Sequence, residues 1–102
     1  MRSLPVRLRP EAKADLNEIF DFICQRSGSA EAAAQFIGRI LARCESIGAV
    51  PYGGVARDDL VAGIRMVSFE RSAVILYRIS DDAVEVVTVA YGGRQYDALF
   101  GD

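Results

Sequence analysis

The sequence of 102 residues contains no histidine, and this absence removes the commonest route to acid–base catalysis. Histidine is the side chain whose ordinary pKa lies closest to neutral pH, so the chain has no imidazole to act as a general base. Its two cysteines, Cys24 and Cys44, likewise have no histidine to activate them as nucleophiles. The same absence argues against a zinc site, and we expect no metal and no cofactor.

Other signatures of hydrolases and transferases are also missing. There is no Gly-x-Ser-x-Gly nucleophile elbow. The glycine pairs 53–54 and 92–93 lack the further glycines and the lysine of a phosphate-binding loop. No set of carboxylates has the spacing of a metal site. The sequence therefore gives little support to an enzyme.

The two cysteines are predicted to remain free. We place them on two antiparallel helices joined near Ser27-Gly28, with Cys24 close to the joint and Cys44 far from it. At about 1.5 Å of rise per residue they lie about 20 Å apart, whereas a disulfide needs Cα atoms within about 7 Å. We interpret both as small core residues.

The chain lacks long apolar runs and an excess of positive charge. No run approaches the roughly 20 residues of a membrane span, and the first five residues show no apolar core of a signal peptide, so we expect a cytoplasmic protein with no membrane partner. The formal net charge is −2, whereas general nucleic-acid binders are usually basic. All basic residues except Lys13 are arginines. This bias favours carboxylate partners, or it reflects a GC-rich genome.

The first half of the sequence predicts a strand and a helical hairpin. Residues 4–8 alternate as a strand does, and Pro10 suits the first turn of a helix over residues 10–25, although Arg9 is a poor N-cap. Ser29 is a good cap for a second helix, with Gly48 as its stop. Each helix carries one apolar stripe: Ala12, Leu16, Ile19, Phe20 and Ile23 on the first, and Ala33, Phe36, Ile37, Ile40, Leu41, Cys44 and Ile47 on the second. The opposite face of the first helix is assigned Glu11, Lys13, Asp15, Glu18 and Asp21.

The second half predicts an irregular loop and a meander. The loop covers residues 51–62 and is either a functional segment or a surface connector. Strands follow over residues 63–70, 72–79 and 83–90, with a tight turn at Asp81-Asp82. We expect residues 1–102 to form a single α+β domain in two layers, in which the helical hairpin covers one face of an antiparallel sheet made of the first strand and the three-stranded meander.

Four arginines are candidates for a binding surface, because a meander can bring Arg65, Arg71, Arg78 and Arg94 to one face or edge. Together with Tyr77, Tyr91 and Tyr96 they would form a cationic, aromatic groove. Such a groove suits RNA phosphates and bases or the acidic and aromatic side chains of a protein partner. Alternatively, Arg65 and Arg78 are solvated strand residues paired with Glu85 and Asp82.

An ordered set of short motifs resembles the toxins of the ParE branch of the RelE/ParE superfamily. The set covers nearly the whole chain and comprises Leu8-Arg9-Pro10-Glu11-Ala12, Asp15-Leu16, Ile19, Ile23, Ala33, Phe36, Ile40, Ile47, Pro51, Gly53 or Gly54, Arg57, Asp59-Leu60, Gly63-Ile64-Arg65, the run Val74-Ile75-Leu76-Tyr77-Arg78-Ile79, Asp82, Val84-Glu85-Val86, Gly92 and Arg94. Two positions depart from the family pattern: Arg9 replaces a Ser or Thr cap, and Tyr91 replaces the histidine of a closing His-Gly-x-Arg motif.

The resemblance implies the RelE/ParE fold and the toxin half of a bacterial type II toxin–antitoxin pair. A cognate antitoxin would wrap the toxin by laying a helix and a strand on it, and DNA would be contacted only through the antitoxin. ParE toxins are known as inhibitors of DNA gyrase that hydrolyse no substrate. The predicted partner-binding residues are Arg65, Arg71, Arg78, Tyr91 and Arg94.

Two other functions remain open. RelE relatives cleave messenger RNA in the ribosome, and the corresponding catalytic set here would be Arg65, Arg78, Tyr91 and Arg94. The absence of histidine and the negative net charge disfavour this reading. A third possibility is a module that binds its antitoxin but has lost toxicity.

Overall fold

The computed structural model describes residues 3–92 and shows two helices packed on one face of a five-stranded sheet. In chain order the elements are β1 (Val6–Leu8), α1 (Pro10–Ser27), α2 (Ala30–Ala49), a 3-10 turn (Pro51–Gly53), β2 (Val55–Ala56), β3 (Arg65–Phe69), β4 (Ala73–Ile79) and β5 (Val84–Tyr91). The predicted α+β order of strand, helical hairpin and meander is confirmed. Within residues 3–92, neither helix is long and apolar enough to cross a membrane.

The sheet is mixed, which corrects the prediction of a fully antiparallel one. Its strand order is β1-β5-β4-β3-β2, and β1 runs parallel to β5, with Val6 opposite Val84 and Leu8 opposite Val86. Parallel neighbours need a long crossover, and the helical hairpin forms part of the connection between these two strands. The loop also contains β2, a strand of two residues that was not predicted, whose Val55 lies opposite Met66 of β3.

The helices begin and end largely as their caps predict. Arg9 makes no side-chain cap, as expected, and Pro10 occupies the first turn of α1. Gly28 ends that helix in a left-handed conformation, with its N–H bonded to the Cys24 carbonyl. The Ser29 side chain accepts a hydrogen bond from the Ala32 N–H and so caps α2. α1 continues two residues past the predicted end because Gly28 is the first residue that supplies a positive φ.

Gly48 does not stop α2, which is a second correction. It is a buried residue inside the helix, and Ala49 is the last helical residue. The Leu4 N–H donates to the Gly48 carbonyl at 2.9 Å, and a Cβ at position 48 would overlap the Leu4 carbonyl oxygen. The glycine is therefore required for the close approach of the segment before β1 rather than for a helix end.

The core lies between the helix stripes and the inner face of the sheet. Ala12, Leu16 and Ile19 of α1 and Phe36, Ile40, Cys44 and Ile47 of α2 pack against side chains of β3, β4 and β5. Cys44 is 2% exposed, and burial raises the pKa of its thiol to about 11. Cys24 is only partly buried, and both thiols are free, as predicted.

Candidate functional site

Arg65 begins β3 and fixes the loop that precedes it. Its Nη2 donates to the Tyr52 carbonyl at 3.1 Å and to the Gly54 carbonyl at 2.8 Å. Its guanidinium carbon lies 5.4 Å from the centre of the Tyr52 ring. Since both of these hydrogen bonds end on carbonyls of the preceding loop, Arg65 acts first as a support for residues 52–54, beneath any surface that contacts a partner.

Tyr77 supports the same loop from the core, which corrects its predicted place in a cationic groove. Its side chain is 0% exposed. The hydroxyl donates to the Pro51 carbonyl at 2.7 Å and accepts from the Gly54 N–H at 3.1 Å. A Cβ at position 54 would overlap this hydroxyl. A buried tyrosine hydroxyl needs such partners, and here they determine the path of residues 51–54.

The supported loop displays an apolar patch that sequence reasoning did not single out. Tyr52 is 73% exposed, Val55 62% and Val50 54%. We call these three residues the loop patch. Exposed apolar residues that are clustered and held in a fixed conformation are typical of protein interaction sites. The cluster was missed because these residues occur singly among the glycines of an apparent connector.

Arg78 lies on the opposite face of the sheet. It stands opposite Glu85 of β5, which in turn stands opposite Arg7 of β1. The expected pairing of Arg65 and Arg78 with Glu85 and Asp82 is not formed among residues 3–92. Instead, Arg7 lies 3.5 Å from Asp82 and Arg9 lies 3.9 Å from Glu85. The parallel placement of β1 beside β5 brings these two arginines to the acids.

Arg71 is exposed in the turn between β3 and β4. Glu70 and Arg71 have φ values of +48° and +61°, and two consecutive positive values at the centre of a tight hairpin match the twist of the flanking strands. The Glu70 carboxylate binds Arg39 of α2 through contacts of 2.8 and 3.2 Å. This bidentate pair lowers the pKa of Glu70 and raises that of Arg39.

Tyr91 ends β5 among aromatic side chains of both helices. Its ring centre lies 5.6 Å from that of Phe22 and 5.4 Å from that of Phe36, both edge to face. Phe22 is nevertheless 42% exposed, and the guanidinium of Arg26 lies 5.4 Å from its ring centre. Tyr91 thus borders a partly open apolar surface between α1 and the sheet.

Asp15 is a buried acid that was predicted to lie on the solvent face of α1. It is 7% exposed. Its Oδ2 accepts hydrogen bonds from the Thr88 hydroxyl and, at 3.0 Å, from the Val89 N–H. The strand irregularity after Val86 turns Thr88 toward the helix. The signal was the spacing Ala12, Asp15, Leu16, Ile19, which puts Asp15 on the apolar stripe.

The candidate residues occupy separate places. Arg65 and Arg71 lie at opposite ends of β3, whose first and last residues are about 13 Å apart. Side chains alternate along a strand, so Arg65 shares the helix-covered face with Val67 and Phe69, whereas Arg78 projects from the other face. Tyr91 stands opposite Ala73, near the Arg71 end. Arg94 and Tyr96 lie outside the described residues, and within those residues no three His, Cys, Asp or Glu side chains cluster as a metal site requires.

Comparison with solved structures defines the fold class. The chain is similar to a structure described as the chromosomal ParDE TA system from P. aeruginosa, with a TM-score of 0.77 and 21% identity over 88% of this chain and 97% of the other. It also resembles the toxin–antitoxin complex RelBE2 from Mycobacterium tuberculosis, with a TM-score of 0.67 and 17% identity over 92% of this chain and 97% of the other. The architecture is therefore the RelE/ParE-like α+β fold.

Sequence comparison then shows the family. Residues 6–96 match the family described as ParE toxin of type II toxin–antitoxin system, parDE. The chain is 36% identical to Toxin ParE1 of Caulobacter vibrioides, covering 95% of this chain and 98% of the relative. It is 31% identical to Toxin ParE3 of the same organism, covering 94% and 93%. The chain belongs to the ParE toxin family of type II toxin–antitoxin systems.

Proposed function

We propose that this protein is a cytoplasmic toxin that arrests growth by binding and inhibiting DNA gyrase, without hydrolysing a substrate, and that a cognate antitoxin neutralises it. The observation that carries the proposal is the match to the ParE toxin family over residues 6–96. Two named ParE toxins cover nearly all of the chain at 31% and 36% identity. Inhibition by binding requires a firm contact surface rather than a set of reacting groups.

The loop patch has the properties that such a contact needs. Tyrosine and arginine dominate the binding energy of many interfaces, and here Tyr52 stands over Arg65. Hydrogen bonds from Arg65 and Tyr77 hold the backbone beneath it. Because these residues are already ordered, binding costs little conformational entropy. We assign the gyrase contact to the loop patch, with Arg65 as a supporting residue.

The edge of the sheet beside the loop patch suits the antitoxin. β2 pairs only with Arg65 and Met66, and no other described strand pairs with this side of β3. An extended antitoxin segment can add there as a further strand. Such a segment would lie next to Val55 and would cover the patch, so that the antitoxin and gyrase compete. The P. aeruginosa and M. tuberculosis structures are themselves described as toxin–antitoxin systems, which supports an antitoxin partner.

The test is to induce the protein alone in bacteria and to pulse-label DNA and protein synthesis separately. We expect DNA synthesis to fall first, and we expect Tyr52→Ala to abolish the arrest. The matched control is Leu41→Ala, which truncates an apolar side chain of α2 that is 38% exposed and should remain toxic. An early fall in protein synthesis would instead support a ribosome-dependent ribonuclease, and no arrest by the folded protein would indicate a module that only binds antitoxin.

A further inference from the structure

Arg78 is a partly buried arginine on the sheet face that the helices leave uncovered. Its Nε is buried and has no hydrogen-bond partner. Within residues 3–92, no hydrogen bond or ion pair joins its guanidinium to another residue. Buried polar groups are nearly always paired in stable proteins, so the Arg78 guanidinium is suited to an anion that a partner supplies.

Two nearby arginines are already matched with the acids of this region. Arg78 stands opposite Glu85 of β5, which stands opposite Arg7 of β1, so the three positions form a row across the sheet. Glu85 lies 3.9 Å from Arg9, and Asp82 lies 3.5 Å from Arg7. Because residues beside β1 engage both acids, the charge of Arg78 is directed to a group outside the described chain.

A row of apolar side chains leads from the edge of the sheet to Arg78. Val55 of β2 stands opposite Met66 of β3, and Met66 stands opposite Leu76 of β4. Paired residues share a face of the sheet, and Arg78 lies on the same face as Leu76 because side chains alternate along a strand. Val55 is 62% exposed and Met66 is partly exposed, whereas Leu76 is fully buried. A polypeptide that reaches Arg78 from this edge crosses about 10 Å and meets apolar side chains first.

A single carboxylate suits this position better than a chain of phosphates. A guanidinium binds one carboxylate through two parallel hydrogen bonds. A nucleic-acid backbone carries a charge at every nucleotide and needs several cations along its path. Here Glu85 lies directly across from Arg78 and repels additional negative charge. The net charge of −2 acts in the same direction.

We propose that Arg78 binds an aspartate or glutamate side chain of a partner protein, within a segment whose neighbouring apolar residues lie over Val55 and Met66. The assignment of this segment to the antitoxin rests on the proposed function, which places an antitoxin strand at the same edge. The chemistry of the surface does not depend on gyrase. Arg78 thus fixes the position of the bound segment next to the loop patch.

The first test uses peptides and needs no antitoxin. The isotope-labelled full chain is titrated with acetyl-Leu-Glu-Leu-amide while the NMR signal of the Arg78 Nε–H, assigned by its loss in Arg78→Lys, is followed. We expect a saturable shift, and we expect acetyl-Leu-Gln-Leu-amide to bind about tenfold more weakly because its acceptor is uncharged. The matched control is Arg26→Lys, at an exposed position of α1, which should bind both peptides as wild type does.

Three results of this titration would overturn the proposal. The first is an Arg78 signal that does not move, and the second is equal binding of the glutamate and glutamine peptides. The third comes from a short oligouridylate used as an alternative probe. If the oligouridylate shifts the Arg78 signal at a lower concentration than the glutamate peptide does, the surface binds nucleic acid instead.

The second test measures the affinity of the full chain for its purified cognate antitoxin. Arg78→Gln should weaken binding about tenfold, and Arg78→Lys, which keeps the charge but not the fork, should weaken it less. Unchanged affinity of folded Arg78→Gln would overturn the proposal even though the antitoxin binds. A wild-type protein that leaves gyrase active would contradict the proposed function and not the Arg78 contact. Should Arg78→Gln fail to fold, Arg78→Lys and the wild-type peptide titration still decide.

Discussion

The two ends of the helix-covered sheet face are built by different means. At the end where β3 begins, hydrogen bonds from Tyr77 and Arg65 fix backbone carbonyls and leave Tyr52 exposed. At the end where β5 finishes, Tyr91 packs edge to face between two phenylalanines, and a buried carboxylate joins α1 to the strand. The first end is an exposed surface held in a fixed conformation, whereas the second end is packed core that leaves Phe22 partly exposed.

Because of this difference, we expect variants at one end to affect mainly stability and variants at the other end to affect mainly toxicity. Residues at the Asp15 and Tyr91 end bind elements of the core together, so their loss should lower the free energy of unfolding. Residues at the Tyr52 end position a surface, so their loss should reduce growth arrest more than it reduces stability. Variants at the two ends therefore provide a test of the comparison.

The largest loss of stability is expected for Asp15→Ala. The substitution leaves the Thr88 hydroxyl and the Val89 N–H without their acceptor, at a cost of about 3 kcal/mol in the free energy of unfolding. Asp15→Asn keeps an acceptor oxygen and should cost less. Urea denaturation measures both variants, and Asp21→Ala on the exposed face is the control. Equal effects of Asp15→Ala and Asp21→Ala would show that the buried carboxylate contributes no more to the free energy of unfolding than an exposed one does.

Tyr77→Phe should have an intermediate effect on stability and a strong effect on toxicity. It keeps the buried ring but removes the hydroxyl that bonds Pro51 and Gly54, so unfolding becomes about 2 kcal/mol easier. The loop patch also loses its fixed backbone. Denaturation and colony counts after induction give the two readouts. Full toxicity of a folded Tyr77→Phe variant would contradict the role given to the loop.

Arg65→Lys should reduce stability by only about 1 kcal/mol, because a lysine keeps the charge but lacks the planar fork and stacks poorly on a ring. Growth arrest should nevertheless weaken, since the contacts to Tyr52 and Gly54 are lost. Arg71→Lys in the exposed hairpin is the matched control. If Arg71→Lys weakens arrest and Arg65→Lys does not, the contact surface lies at the Arg71 end of β3, and the role given to Arg65 is contradicted.

The smallest effect is expected from the Glu70–Arg39 pair, which is exposed. Arg39 lowers the pKa of Glu70 from its ordinary value of 4.5. A lowered pKa in the folded state means that the pair stabilises the protein above that ordinary value, and the benefit disappears as pH falls through the folded-state pKa. Midpoints of denaturation measured from pH 6 to pH 3 should therefore converge for wild type and Glu70→Gln at the acid end. A constant difference between the two midpoints across this pH range would contradict a stabilising ion pair between Glu70 and Arg39.

The helices and the meander were predictable because their signals are local. Stripes at helical spacing and the residues Pro10, Gly28 and Ser29 place both helices within about two residues. Strand direction is not encoded locally, so the parallel placement of β1 beside β5 was missed. Gly48 was wrongly predicted to end α2. A helix end and a close approach between two backbone segments both favour glycine, and the sequence does not distinguish the two.

The candidate site was predicted less well for a related reason. The sequence singled out Arg65 and Tyr77, but a side chain that supports a surface and one that forms it have the same sequence pattern. Only the tertiary structure shows that Tyr77 is buried and that Arg65 lies under Tyr52. Asp15 was assigned to solvent because its partners, Thr88 and Val89, are more than 70 residues away in sequence.

We propose that the loop patch binds gyrase, and a supercoiling assay with purified components tests this most directly. We predict that the wild-type protein inhibits supercoiling of relaxed plasmid by gyrase, that folded Tyr52→Ala does not, and that Leu41→Ala inhibits as wild type does. Undiminished supercoiling in the presence of excess folded wild-type protein would contradict the claim.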